Sequence, residues 1–267
     1  MMLPALNEET SIGGVIDDIP RDTLRDMGYE PVAVVVDGNS TDRTLEIARE
    51  KGARIIVQQG KGKGLGVRQA LALCHPDDGN SIDRGNCEGS TAMRDAKYLF
   101  MLDADGTYPP KHIVDLIGAL EKGADVVMGS RFLGSIAEGA MTGLNRMGNA
   151  ILSDTASVLY QHRCTDLCTG MWGFNAKALE ALELDSRHFE LEAELFAESA
   201  KRGLDIMEVP ITYLPRKGET KLVPLKAGFA IMDKLLERRF FNAAGDFELK
   251  TAKRSEKSPT PTPFQFM

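Results

Sequence analysis

The chain has 267 residues, a mass of 29.2 kDa and 43% hydrophobic residues, enough for one large globular domain or two small ones, and we expect one. Its net charge of −7 argues against a protein whose whole surface binds nucleic acid or anionic lipid. Hydrophobic runs stay short of the ~18 residues that span a bilayer. The four cysteines form no Cys-x-x-Cys pair and no leader-like segment opens the chain, which predicts a cytoplasmic protein without zinc or disulfide bonds.

Short apolar runs alternate with helix-length amphipathic segments in the first half of the chain. The predicted strands cover residues 31–39, 54–59, 98–105 and 124–132, and the predicted helices cover residues 40–53, 64–74 and 111–123. We expect Ser40 or Thr41 to cap the first of these helices and Gly52 to end it. This alternation predicts an α/β fold with a mostly parallel open sheet and helices on both faces.

Two segments lack the periodicity of a folded element. Residues 75–96 are polar and contain glycines, and a loop of that length within a compact domain is either functional or disordered. We expect disorder there, which makes residues 75–96 a flexible loop. Residues 250–267 have the Ser, Thr, Pro and charge content of a disordered tail. The prediction is therefore a single domain over residues 1–249.

Polar residues follow apolar runs at three places, with the sequences PALNEE, DGNSTD and DADGTYPP. Ligands of open parallel sheets bind beyond the carboxyl ends of the strands, so these segments are candidate site residues. Asp103 and Asp105 are one residue apart, and Gly106 gives the backbone the freedom to turn both carboxylates toward one cation. Such a pair suits Mg²⁺ or Mn²⁺ with a substrate diphosphate, although Asp and Gly are also common in solvated turns.

The combination of motifs is more specific than any single one. PALNEE (4–9), VVVDGNSTDRT (34–44), GKGKGLGVRQAL (60–71) and LDADGTYPP (102–110) together resemble the family-2 glycosyltransferases of the GT-A fold. Further matches extend the resemblance to about residue 235, and they are GSRF, NRMGN, TDLCTGMWGFNAKAL, FELEAEL and EVPITYLPRKGETKL. This set is similar to dolichyl-phosphate mannose synthase and its subgroup, which moves one hexose from a nucleotide sugar to a polyprenyl (dolichyl) phosphate.

The resemblance implies a nucleotide-sugar-binding half, residues 1–110, and an acceptor-binding half, residues 111–222. It implies a nucleotide-sugar site formed by Pro4, Ala5, Asn7, Glu8, Asp37, Lys63, Asp103, Ala104 and Asp105. Asp103 and Asp105 match the metal-binding pair. Relatives often carry Gln where this chain has Thr107, so the third protein ligand and the identity of the sugar stay open. Read without the resemblance, Asn7 and Glu8 also suit the start of a helix.

On the acceptor side, Arg131 and Arg146 match arginines that hold the acceptor phosphate. The planar guanidinium group suits this task because it pairs bidentately with phosphate oxygens and stays charged. Glu192 lies in the segment that matches the acceptor-side helix. Each of these residues, taken alone, is equally well explained by a surface ion pair or a helix cap.

The resemblance also implies a set of catalytic residues, which are Asp103, Asp105, Asp166, Arg216 and Lys221. Asp166 lies where relatives carry an acidic residue, but the acceptor phosphate is already ionised near neutral pH, so the identity of any base stays open. Arg216 and Lys221 lie in a loop that in relatives closes over the diphosphate and neutralises the leaving group. Without the resemblance, this loop reads as a solvated basic surface.

Residues 223–249 form the C-terminal amphipathic helix region, where apolar Phe229, Met232, Leu236 and Phe240 fall at helical spacing beside basic Lys234, Arg238 and Arg239. Such a helix either lies in a membrane interface or packs against the domain. We expect a peripheral protein at the cytoplasmic face of the membrane, with no nucleic-acid partner. The sequence leaves homo-oligomer formation open.

The predicted function is metal-dependent, inverting transfer of a hexose from UDP-glucose, UDP-N-acetylglucosamine or GDP-mannose to dolichyl or polyprenyl phosphate, for N-glycosylation or cell-surface glycan assembly. Thr107 slightly favours a UDP-sugar. The alternatives are a glycosyltransferase with a non-lipid acceptor and a non-catalytic sugar-nucleotide-binding protein. A sugar-nucleotide pyrophosphorylase or a dinucleotide-dependent oxidoreductase would need a glycine-rich loop after the first strand, where this chain has PALNEET.

Overall fold

The computed structural model describes residues 1–73, 93, 96–218 and 224–241. Its strands are β1 (Met2–Ala5), β2 (Val34–Asp37), β3 (Arg54–Val57), β4 (Tyr98–Leu102), β5 (Val126–Ile136), β6 (Met171–Asn175) and β7 (Ile206–Tyr213). Its helices are α1 (Ile12–Asp17), α2 (Arg21–Asp26), α3 (Thr44–Glu50), α4 (Lys63–Ala72), α5 (Ile113–Glu121), α6 (Gly143–Tyr160), α7 (Ala176–Ala181), α8 (Leu191–Lys201) and α9 (Pro224–Phe240). Lys221, most of the loop 75–96 and the tail 250–267 lie outside the described residues.

The strands form one seven-stranded sheet in the order β3-β2-β1-β4-β6-β5-β7. Neighbouring strands are parallel except at β6, which runs antiparallel between β4 and β5. The mostly parallel sheet is therefore confirmed, while the antiparallel strand is an addition to the prediction. Leu102 at the end of β4 pairs with Met171 at the start of β6, so the residues after β4 face those before β6.

Hydrophobic layers cover both faces of the sheet, as predicted. Alternate strand residues point to opposite faces, so Met2 and Leu3 of β1 enter different layers. The Met2 layer packs against α4, α8 and α9, and the Leu3 layer packs against α1, α2 and α5. Burying each large apolar side chain contributes about 1.5–3 kcal/mol to folding. These layers hold the strand ends in fixed positions relative to one another.

The predicted start of helix α3 is wrong by several residues, whereas its end is confirmed. The helix begins at Thr44, and neither Ser40 nor Thr41 caps it. Their backbone N–H groups are bonded elsewhere, that of Ser40 to the Asp37 carboxylate and that of Thr41 to Asn7 Oδ1. These side chains compete for the N–H groups that a helix would need. Gly52, with φ of 75°, ends the helix.

Helix α9 lies in the predicted C-terminal amphipathic region, but two of its basic residues turn inward. The guanidinium of Arg238 is buried against Glu194 of α8, and Lys234 Nζ lies 2.7 Å from Asp185 Oδ1. The first pair joins α9 to α8, and the second joins α9 to the segment before α8. Of the two alternatives for this region, packing against the domain therefore holds for the face with Arg238 and Lys234, where buried Glu194 and partly exposed Asp185 attract the two cations. No helix within the described residues is long and apolar enough to cross a bilayer.

Candidate active site

Asp103 and Asp105 follow β4 at the edge of the sheet where the carboxyl ends of β1, β2 and β4 meet. Gly106 has a φ of 79°, which turns the chain directly after the pair. The hydroxyl of Thr107 donates to Asp105 Oδ1 at 2.6 Å, so it orients this carboxylate. Burial and the negative charge of Asp103 raise the pKa of Asp105. The two carboxylates therefore interact with each other electrostatically.

Lys63 joins the carboxylate pair to helix α8. Its Nζ lies 2.5 Å from Asp103 Oδ1 and 2.5 Å from Glu192 Oε1. Burial lowers the pKa of Lys63, but the charges of Asp103 and Glu192 outweigh this effect and raise it, so the ammonium group is charged. One cation thus connects a residue of the predicted donor half with one of the predicted acceptor half.

The glycines beside Lys63 allow close contact with the segment 186–188. A Cβ on Gly62 would lie 2.1 Å from the carbonyl oxygen of Arg187, and one on Gly64 would lie 2.7 Å from that of Ser186. The amide of Leu65 donates to the Arg187 carbonyl at 3.1 Å. The glycines therefore permit a close backbone approach, and the partner in the structure is a protein segment. It fixes the start of α4 and with it Lys63.

The segment that follows β7 covers the carboxylates from the other side. Arg216 Nη1 lies 2.8 Å from Asp105 Oδ2, and its Nη2 lies 2.5 Å from Glu8 Oε1. The Nε of Arg216 is buried and has no hydrogen-bond partner among the described residues. A buried donor without an acceptor is costly, so this N–H group is a natural contact for an oxygen of a ligand.

Arg131 and Asp166 form a closed, buried pair. Arg131 donates to both carboxylate oxygens of Asp166, from Nε at 2.7 Å and from Nη2 at 2.6 Å, and its backbone N–H donates at 2.9 Å. Asn149 Nδ2 of α6 adds a fourth hydrogen bond at 2.9 Å. The guanidinium carbon lies 5.0 Å from the ring centre of Tyr213. Both carboxylate oxygens of Asp166 therefore accept hydrogen bonds, and Asp166 holds the guanidinium group of Arg131 in place.

Arg146 lies in the first turns of α6 and is exposed. Its guanidinium carbon lies 5.7 Å from the ring centre of Phe132, the neighbour of Arg131 on β5. Asn149, three residues further along α6, contacts Asp166. The structure thus brings both predicted acceptor arginines to one region, one of them buried and one exposed.

The predicted nucleoside residues meet at the ends of β1 and β2, where Ala5, next to Pro4, pairs with Asp37. The buried carboxylate of Asp37 accepts hydrogen bonds from the backbone N–H groups of Asn39 at 3.0 Å and Ser40 at 3.1 Å. It therefore shapes the turn after β2. Ala104 is buried as well, and its carbonyl oxygen accepts a 2.8 Å hydrogen bond from a serine hydroxyl in the loop after β1.

Among the described residues, no group of three or more His, Cys, Asp or Glu side chains is arranged to hold a metal ion. Asp103 and Asp105 nevertheless offer hard carboxylate oxygens of the kind that Mg²⁺ and Mn²⁺ prefer, and two carboxylates plus substrate phosphates are a common ligand set. Each carboxylate is balanced by a cation, Lys63 or Arg216. The residues therefore fit an ion that arrives together with a diphosphate.

Comparison with known proteins identifies the family. The model of "Glycosyl transferase family 2" matches residues 1–183. The chain belongs to glycosyltransferase family 2. It is 35% identical over 240 residues to glycosyltransferase AglJ of Haloferax volcanii, covering 89% of this chain and 71% of that protein. It is 37% identical over 233 residues to a dolichyl-phosphate hexose transferase of the same organism, covering 86% and 89%.

The architecture of this family-2 glycosyltransferase agrees with solved structures. Glucosyl-3-phosphoglycerate synthase of Mycobacterium tuberculosis, solved with Mn²⁺, UDP and glucosyl-3-phosphoglycerate, superposes with a TM-score of 0.64 at 22% identity, covering 91% of this chain and 80% of that one. This similarity concerns the fold alone. The predicted GT-A fold and the predicted enzyme class are confirmed.

Three features of the site in this glycosyltransferase escaped the sequence interpretation. They are the bridge from Lys63 to Glu192, the contact of Asn149 with Asp166, and the position of Gly170 beside Asp103. A Cβ on Gly170 would lie 2.3 Å from Asp103 Oδ2. The motif NRMGN contains Asn149 and TDLCTGMWG contains Gly170, so the motifs pointed to the right segments without indicating these contacts.

Proposed function

We propose that this glycosyltransferase moves a hexose from a nucleotide sugar to a polyprenyl phosphate of the dolichyl type. The observation that carries the proposal is the placement of Asp103 and Asp105 between two cations, Lys63 and Arg216, at the carboxyl end of β4. This arrangement suits a diphosphate with its metal ion. The name of the relative that is 37% identical, a dolichyl-phosphate hexose transferase, supports the acceptor.

Asp103 and Asp105 would hold Mg²⁺ or Mn²⁺ together with the diphosphate of the donor. When bound, the ion would neutralise negative charge on the diphosphate. The Mn²⁺ and UDP in the solved structure of glucosyl-3-phosphoglycerate synthase support this assignment. The loops that hold Pro4, Ala5, Asn7, Glu8 and Asp37 would form the nucleoside side of the site.

Arg216 would stabilise the leaving group. As the bond from the anomeric carbon to the diphosphate lengthens, negative charge grows on the leaving phosphate, and a positioned guanidinium lowers the energy of that state. Its buried Nε, without a hydrogen-bond partner among the described residues, supports a contact with a phosphate oxygen. Lys221 in the same connection is the second cation that we assign to this role, and it lies outside the described residues.

The acceptor phosphate would attack the anomeric carbon from the face opposite the leaving group, which inverts its configuration. A phosphate monoester carries about −1.5 to −2 charges at neutral pH, so the attack needs no general base. We therefore assign Arg131 and Arg146 to the acceptor phosphate and Asp166 to the positioning of Arg131. Glu192 contributes through Lys63, whose charge it helps to hold at the junction between donor and acceptor.

A lipid acceptor requires contact with a membrane, and we propose that the protein binds peripherally at the cytoplasmic face. Among donors, Thr107 in place of the glutamine of some relatives favours UDP-glucose or UDP-N-acetylglucosamine over GDP-mannose. A soluble phosphorylated acceptor is the second candidate. Phosphoglyceric acid in a structure of the fold neighbour glucosyl-3-phosphoglycerate synthase favours testing it.

The experiment offers the purified full chain each of the three nucleotide sugars, with a short-chain polyprenyl phosphate or 3-phosphoglycerate as the acceptor and with Mg²⁺, Mn²⁺ or EDTA. We expect glycosylated lipid phosphate with one donor, a loss of product in EDTA, and a loss of product with Asp105→Ala. Product on 3-phosphoglycerate alone would replace the lipid acceptor by a soluble one. Full activity of Asp105→Ala in EDTA would contradict the metal assignment.

A further inference from the structure

Helix α6 buries polar side chains on its inner face. Asn149, Ser153 and Ser157 recur every fourth residue, so they form one row along the helix. Each accepts a 2.9 Å hydrogen bond from a backbone N–H group of the segment 164–168. The row fastens α6 to the segment that contains Asp166. This inner face therefore cannot rotate outward without breaking three hydrogen bonds.

The outer face of the same helix is mostly apolar, with Asp154 at its margin. Leu144, Met147, Ile151 and Val158 are 54%, 58%, 55% and 78% exposed. Their spacing of three, four and seven residues places them in one stripe. Scattered apolar residues are normal on a protein surface, whereas a contiguous apolar stripe marks a contact surface. A helix with hydrogen-bonded polar groups inside and an apolar stripe outside is suited to an apolar environment around its outer face.

Helix α9 packs beside α6 and exposes a second stripe. The hydroxyl of Tyr160 at the end of α6 donates to the carbonyl oxygen of Leu235 in α9 at 2.8 Å. Leu225, Phe229 and Phe240 are 69%, 77% and 66% exposed, and they share one face of α9. Two neighbouring helices thus each carry an outward apolar stripe, and aromatic residues are prominent in the second.

The charges around the stripes suit lipid headgroups better than the acidic surface of the rest of the molecule does. The chain as a whole has a net charge of −7. On α6 and α9, by contrast, the exposed charged side chains are basic Arg146, Lys226 and Arg239 and acidic Asp154 and Asp233. An anionic membrane surface attracts basic residues that lie close to it. These two helices are therefore a favourable place for a bilayer on an otherwise acidic protein.

We propose that the outer stripes of α6 and α9 form a docking surface for a lipid bilayer, here called the two-helix surface and defined by Leu144, Met147, Ile151, Val158, Leu225, Phe229 and Phe240. The inference rests on the proposed function, since a lipid phosphate is the acceptor. The side chain of Arg146 projects from the first turns of α6, so docking of α6 would bring this arginine to the level of the lipid phosphates. Unlike a folded protein partner, a bilayer can also bind two separate helical stripes without a complementary shape.

The experiment measures flotation of the full chain with vesicles of phosphatidylglycerol and phosphatidylcholine. The test variants are Met147→Glu with Ile151→Glu on α6, and Phe229→Glu with Phe240→Glu on α9. The matched control is Val57→Glu, because Val57 is 49% exposed on the edge strand β3. We expect each double variant to lower vesicle binding about tenfold or more, and the control to bind like the wild type. Transfer to a short, water-soluble prenyl phosphate should persist in all of them.

Three outcomes would overturn the inference. If the wild-type chain does not float with vesicles, the two-helix surface is not a membrane-binding surface, even if the chain glycosylates a soluble prenyl phosphate. If the α6 double variant binds vesicles like the wild type, α6 is not part of that surface. A wild-type dimer that the α6 variant converts to a monomer assigns the stripe to a second copy of the chain. Vesicle binding without transfer to any lipid phosphate would support the surface and contradict the proposed function, so the two failures are distinguishable.

Discussion

The site contains two kinds of ion pair, and they differ in how open they are. At the carboxylate pair, each ion pair joins a partly exposed side chain to a more buried one: Asp103 is 30% exposed and Lys63 13%, while Arg216 is 26% exposed and Asp105 9%. At the acceptor side, the side chains of Arg131 and Asp166 are 8% and 0% exposed. Asp166 accepts four hydrogen bonds, whereas Arg216 keeps a buried N–H group without a partner among the described residues.

This difference separates charges that exchange partners from charges that hold a structure. A pair with one partly exposed member is screened by water, so its members can leave one another for a ligand at a lower cost than those of a fully buried pair. A buried pair is costly to break because it leaves an uncompensated charge in the interior. The pairs around Asp103 and Asp105 are therefore suited to binding and release, and the pair of Arg131 with Asp166 is suited to shaping a pocket.

The largest expected effect is on stability, from Asp166→Ala. Removing this carboxylate leaves the buried Arg131 unpaired, so we expect the free energy of unfolding to fall by about 3–5 kcal/mol. Urea denaturation measures it. Asp103→Ala is the matched control and should cost clearly less, because its carboxylate is partly exposed and Lys63 keeps Glu192 as a partner. Equal losses in both variants would erase the distinction between the two kinds of pair.

Arg216→Gln should reduce activity more than stability. We expect kcat/KM to fall about 10²–10³-fold, because the leaving phosphate loses a positioned positive charge. The loss of thermal stability should be smaller than that of Asp166→Ala, because Arg216 is itself partly exposed. Lys217→Gln, at the next and exposed position, is the control and should keep most of the activity. A loss of activity that follows a loss of folded protein would place Arg216 among the structural charges.

Asn149→Ala tests whether the closed pair positions the acceptor pocket. The change removes one hydrogen bond to Asp166 and leaves the backbone N–H of Cys168 unpaired, which costs about 1–3 kcal/mol. We expect the KM for the acceptor to rise while the KM for the donor stays constant. Ser157→Ala belongs to the same helical row without touching Asp166, so it should leave both constants unchanged. A parallel rise in the donor KM would indicate a general loss of structure.

Gly170→Ala should give the smallest effect, at the open pair. The new Cβ would lie 2.3 Å from Asp103 Oδ2 and 2.9 Å from the ring of Tyr108, so Asp103 must move. We expect activity to fall about tenfold, since small misplacements of a catalytic group are costly. Gly118→Ala in α5 meets no atom within 4 Å and serves as the control. Wild-type activity of Gly170→Ala would show that the position of Asp103 is not critical.

Strands β2, β3, β4 and β5 were predictable because each contains a run of apolar residues. Strand β7, which contains Glu208 and Pro210, was not predicted. Strand β6 was not predicted either, since MWGFN is short and contains a glycine, and no local pattern indicates that a strand inserts antiparallel between two distant ones. The start of α3 was misplaced because Asp37 and Asn7 bind the N–H groups of the residues before it. Such competition between side chains and backbone depends on tertiary contacts.

The candidate site was predictable as a set of segments and not as a set of contacts. Asp103 and Asp105 stand out by spacing alone. The partners of Lys63, by contrast, lie 40 and 129 residues away along the chain, and a lysine between two glycines does not reveal them. Arg238 shows the same limit, because its place in the helix does not reveal that its partner is the buried Glu194 of another helix.

The contacts of the segment 62–64 with residues 186–188, together with the bridge from Lys63 to Glu192, limit how such enzymes can be recombined. A chimera that takes residues 1–110 from one relative and the remainder from another would need a matching lysine and glutamate. It would also need glycines where a Cβ atom would collide with the backbone of the facing segment. The two predicted halves of this protein therefore cannot be exchanged independently, because the contacts between them would have to be exchanged as well.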